Sequence, residues 1–166
     1  MRTTIVSRDG LVSRDGLREE DLRWLFQVGE ERVVHSGTAI VDEGVRPNAL
    51  FIVIRGRFDV GVAALDGTLL AKLEAGEWIG EISFLEGSPA SATIVADQES
   101  VVLVIDRQVL NERIREDTAF AARIYRAFAL VAERRLRNRL DHLAFLVEIG
   151  SDSRSQHGIG ISNLNW

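Results

Sequence analysis

The chain has 166 residues, 46% of them hydrophobic and 27% charged, with a formal net charge of −5. That balance suits one globular domain with its own core and argues against a globally basic surface that coats nucleic acid. There is no cysteine, which excludes a disulfide scaffold, a thiol nucleophile and a thiolate metal site, and fits a cytoplasmic protein. No apolar run approaches the ~18–20 residues of a membrane span, and the first residues, MRTTIVSRDG, lack the apolar stretch of a signal peptide.

The hexapeptide VSRDGL occurs twice in tandem, at 6–11 and 12–17, each copy carrying the turn-forming Asp-Gly pair. Residues 1–16 read as a partly flexible leader. LREEDLRWLF (17–26) places Leu22, Leu25 and Phe26 on one face behind acidic residues, the pattern of a short amphipathic helix. Between Arg32 and Asp106 the period changes to short apolar runs: RVVH, TAIV, ALFIVIR, RFDVGVA, TLLAKL, WIGEI, SATIVA and SVVLVID. Turn residues separate them, and about eight short strands at near-regular spacing predict an antiparallel sandwich or barrel. The fold class is therefore mainly β with flanking helices: an eight-stranded antiparallel, jelly-roll-like β-roll over 17–117.

RQVLNERIR, after Asp106, suggests a short helix. Thr118 can cap a much longer one running to about Glu148. At 1.5 Å per residue that helix spans roughly 45 Å, more than one small roll can cover. Phe120, Ile124, Ala127 and Val131 form one apolar seam on it, and Leu136, Leu140, Leu143 and Val147 a second. Packing on the same chain is the simpler origin of such seams, but the length favours a homodimer through residues 118–147. The polar Gly/Ser-rich tail over 149–166 is expected to be flexible.

Residues 80–93, GEISFLEGSPASAT, gather two glycines, several small hydroxyl residues and a proline around Glu81. Small residues let backbone N–H groups approach an anion at a short helical turn. Glu81 is out of place there unless it accepts a hydrogen bond from a neutral donor such as a sugar hydroxyl. A tight connection with a solvated glutamate is the equal alternative.

With GEWIGEISFLEGSPASATIVA (76–96) the chain resembles the cyclic nucleotide-binding domain family, which includes the bacterial catabolite activator protein (Crp/Fnr-like) and the regulatory subunits of cAMP-dependent kinase. The AIVDEG turn (39–44) and LFIVIRGRFDV (50–60) extend the likeness. It implies a phosphate-binding cassette that begins with Gly-Glu and ends with Arg followed by small residues. Carried over by position, Glu81 would accept the ribose 2′-hydroxyl, and Gly80, Ile82 and Ser83 would supply backbone contacts. Ser91 and the Ala92 amide would meet the cyclic phosphate of cAMP or cGMP. The arginine that would neutralise that phosphate falls at Ala90. Losing such a pair from a desolvated site costs about 2–5 kcal/mol. Three readings stay open: another arginine substitutes, a different ligand binds, or the pocket is a relic.

In this family the long helix folds over the pocket as a lid, which makes Arg134, Arg135, Arg137 and Arg139 candidate replacements. The residues after this helix are too few and too polar to build the three-helix DNA-binding domain that follows it in the activator protein. His35, His142 and His157 form no catalytic or metal-binding spacing, and no Walker loop is present. The expectation is a non-enzymatic sensor or regulatory domain that requires no cofactor, binds no DNA in cis and does not span a membrane. The alternative is a ligand-independent dimerisation or interaction module.

Overall fold

The computed structural model describes residues 16–63 and 69–155, apart from the side chains of 139 and 141–155. The first VSRDGL repeat, most of the second, the Asp66-Gly67 turn and the end of the tail lie outside the described residues. Two compact units divide the chain, Met1–Val131 and Ala132–Trp166.

The first unit begins with helix α1 (Glu19–Val28). The Arg18 amide donates to Asp21 Oδ2 at 2.9 Å, and the acids of the first turn favour the positive end of the helix dipole. Eight strands follow: β1 (Glu30–Val34), β2 (Ala39–Val41), β3 (Ala49–Arg55), β4 (Arg57–Gly61), β5 (Leu69–Glu74), β6 (Trp78–Ile79), β7 (Thr93–Ala96) and β8 (Ser100–Asp106). They form two antiparallel four-stranded sheets, β1-β8-β3-β6 and β2-β7-β4-β5, as the fold class requires.

The sequence of β3 explains the layering. Its run Ala49–Val53 is buried at every position, because both faces of its sheet are covered. Phe51 and Val53 join Phe58, Val60, Leu73, Ile79 and Val102 in a core between the two sheets. Leu50 and Ile52 point to the opposite face, where Trp78, Leu103 and Ile105 meet Leu22, Leu25 and the helices that follow the roll.

One difference from the sequence reading lies in WIGEI. Only Trp78 and Ile79 are strand; Gly80 then takes a left-handed conformation (φ 91°), and helix α2 (Glu81–Glu86) begins. A Cβ at Gly80 would also stand 3.3 Å from the Ala49 carbonyl, so both backbone and space select glycine there.

Helix α3 (Arg107–Glu116) is capped by Asp106, whose carboxylate accepts from the Gln108 and Val109 amides at 2.7 and 3.2 Å. Helix α4 (Thr118–Ser155) starts where expected, but its cap is Asp117, which accepts from the Phe120 amide at 2.9 Å. It continues past 148 to Ser155, so residues 149–155 are helical where a flexible tail was expected. The first seam, Phe120, Ile124, Ala127 and Val131, is fully buried in the core of the first unit. That burial carries the unit past the expected end of the roll at residue 117. In the second unit, the α4 residues Leu136 and Leu140 are 59% and 55% exposed. No helix among the described residues is long and apolar enough to cross a membrane.

Candidate functional site

The segment from Gly80 to Ala92 folds as one contiguous hook between β6 and β7. Left-handed glycines bound α2 at both ends: Gly80 at its start and Gly87 (φ 68°) at its finish. Glu81 is 1% exposed, which removes the reading of a solvated glutamate; an acid at that depth must be hydrogen-bonded. Ser83 is buried, and its hydroxyl donates to the Ser88 carbonyl, pinning the loop back onto α2. Ile82 and Leu85, three positions apart, form the exposed face of that helix.

The far end of the hook is fixed by the AIVDEG turn. The Ala90 amide donates to the Val45 carbonyl at 2.9 Å, and the Gly44 amide to the Ala90 carbonyl at 2.8 Å. These two backbone bonds clamp Ala90 between Gly44 and Val45 of the facing turn. The Glu43 amide donates to Thr93 Oγ1 at 3.1 Å. Ala90 and Ala92 are half-buried against the core between the sheets, while Ser91 is exposed. Position 90 holds a methyl group, so no guanidinium comes from it.

Two arginines that the sequence reading did not single out border the hook. Arg107 donates to the carbonyls of Ser83 (3.1 Å), Phe84 (3.2 Å) and Pro47 (3.5 Å), and its guanidinium lies 5.1 Å from the Phe84 ring centre. Burial first, and then the nearby charge of Arg46, pull its pKa below the ordinary guanidinium value. Arg46 is exposed and donates to the Gly87 carbonyl. Neither residue has a local sequence signal: Arg46 sits in a plain loop and meets the hook across 41 positions of chain. Arg134, Arg135 and Arg137 lie in the second unit, where Arg137 donates to Glu133 at 2.9 Å. Arg139's side chain lies outside the described residues.

The hook also touches α4 within the first unit. Phe84 of α2 meets Phe128 edge-on at 5.8 Å between ring centres, and Trp78 meets the same ring at 5.3 Å. Any movement of α2 therefore bears on the first turns of α4.

A family profile described as the cyclic nucleotide-binding domain matches residues 31–117. The chain belongs to the cyclic nucleotide-binding domain family. Among relatives, a cAMP-dependent protein kinase regulatory subunit from Mucor circinelloides f. lusitanicus is 28% identical over 110 residues. That match takes in 66% of this chain but only 25% of the subunit. A cyclic nucleotide-binding domain from Methylobacillus flagellatus superposes with a TM-score of 0.71 over 86% of this chain and 87% of its own, at 19% identity. The Thermus thermophilus catabolite activator protein superposes with a TM-score of 0.63 at 28% identity, over 85% of this chain and 63% of its own. The hook thus combines a buried acid at Glu81 with a hydrogen-bonded backbone at Ala90, and carries no cation at position 90.

Proposed function

We propose that this domain is a non-enzymatic sensor for a cyclic nucleotide, cAMP or cGMP, with affinity weakened by the alanine at position 90. Glu81 accepts the ribose 2′-hydroxyl, Gly80, Ile82 and Ser83 line the sugar phosphate with backbone, and Ser91 and the Ala92 amide face the phosphate. The observation that carries this reading is the burial of Glu81 immediately after left-handed Gly80. A buried acid in a hook of small residues suits a neutral hydroxyl donor better than an anion.

The signal passes through packing. A ligand that draws α2 inward moves Phe84 against Phe128 and so biases α4. The size of that bias equals the difference in ligand affinity between the two positions of the helix. The output is a change at a homodimer seam or at a protein partner, without DNA binding in cis.

A second reading, a ligand-independent dimerisation module, is favoured by the exposed Leu136 and Leu140 together with the uncharged position 90. A thermal-shift titration with cAMP and cGMP separates the two. A ligand at 100 times its Kd stabilises by about 2.7 kcal/mol, so the sensor reading predicts a melting temperature that climbs with nucleotide. A melting temperature flat to millimolar nucleotide supports the module instead.

A further inference from the structure

We infer that Arg46, from the turn beside the hook, supplies the cation that position 90 lacks and binds the phosphate of the cyclic nucleotide. This rests on the cyclic-nucleotide reading of the hook. Gly44 and Val45 are hydrogen-bonded to Ala90 itself, so Arg46 leaves the backbone one residue beyond that pairing. Its side chain already turns back onto the hook: a Cβ at Gly87 would stand 2.8 Å from Arg46 Nη2, and that nitrogen donates to the Gly87 carbonyl.

Two features separate Arg46 from Arg107. Arg107 is spent on three carbonyls and the Phe84 ring, so moving it would strip the end of α2. Arg46 is exposed and, among the described residues, its side chain makes one hydrogen bond, to the Gly87 carbonyl. Among the described residues it has no carboxylate partner. Exchanging that carbonyl for a phosphate costs little, because water can replace the lost partner, whereas a guanidinium–phosphate pair is charge-assisted and often bidentate. Like-charge repulsion from Arg107 also favours an anion at this edge of the hook.

The test is calorimetry with cAMP and with cGMP on the full chain and on Arg46→Gln, Ala90→Arg and the double variant, at low and physiological salt. Arg46→Gln should bind at least about tenfold more weakly and show a shallower salt dependence, because one charge contact is gone. In the Ala90→Arg background the same change should cost under about threefold, since the restored arginine makes Arg46 redundant. Unchanged melting temperatures would show that the loss is not one of folding. Arg46→Gln binding as tightly as the unmodified chain overturns the assignment while leaving the sensor reading intact. It is also overturned if only Ala90→Arg variants bind, which leaves the hook competent. If no variant binds either nucleotide, the assignment and the sensor reading fall together.

Discussion

Glu81 and Asp21 are both buried acids, and they serve different ends. Asp21 is held by a fork from Arg123, with Nε and Nη2 at 2.6 and 2.7 Å, and by the Arg18 amide. Burial pushes its pKa up, but these hydrogen bonds and the charges of Arg123 and Arg18 outweigh that and hold it below the usual aspartate value. A depressed folded-state pKa means that the ionised pair stabilises the fold above the ordinary value of about 3.9 and that this contribution fades as pH falls through the folded-state value. Asp21→Asn should therefore cost about 1.5–3 kcal/mol at pH 7, and chemical denaturation should show the gap from the unmodified chain closing below about pH 4. A gap independent of pH would mean that packing, and not charge, holds α1 to α4. For Glu81 the expected effect is on ligand. Glu81→Gln should weaken cyclic-nucleotide binding by about 1.5–3 kcal/mol, and a 2′-deoxy nucleotide should bind the unmodified chain as poorly as the variant binds the ribose form. Equal affinity of the unmodified chain for the two sugars removes this role.

Strands β3 and β8 lie where their apolar runs place them, at 49–55 and 100–106. Long β-branched runs that are buried on both faces carry an unambiguous signal. WIGEI reads as one short apolar run because Ile82 follows Trp78 and Ile79 so closely, whereas left-handed Gly80 ends the strand and Ile82 lies in the helix that follows. Sequence alone points to Thr118 as the cap of α4, whereas the structure uses its neighbour Asp117; both are good capping residues. Glu81 and the hook were legible as a motif; Arg46 and Arg107 were not, because only the folded turns bring them to the carbonyls they meet. Phe128 tests the link between elements. It is fully buried against Trp78 and Phe84, and Phe128→Ala should cost about 3–5 kcal/mol in urea unfolding. Phe128→Leu, a milder change, should keep the fold while lowering any ligand-driven change in α4 read by a spectroscopic label near residue 132. A label response undiminished in Phe128→Leu contradicts transmission through this ring.

For the molecule as a whole, the first seam of α4 is buried in its own unit, and the proposed homodimer would form through the exposed Leu136 and Leu140. Replacing both with glutamine should give monomers by light scattering with an unchanged β-sheet signal, and a mass that does not change would rule out a dimer through these leucines. At position 90 the hook, with its buried acid and hydrogen-bonded backbone, carries a methyl group where the proposed cyclic phosphate would need a cation. Calorimetry of Ala90→Arg beside the unmodified chain, with cAMP and cGMP, tests this account most directly. The account predicts a folded variant that gains at least about tenfold in affinity, the lower side of the 2–5 kcal/mol range for a desolvated charge pair, with a steeper salt dependence. A variant that folds normally and binds neither nucleotide would contradict it.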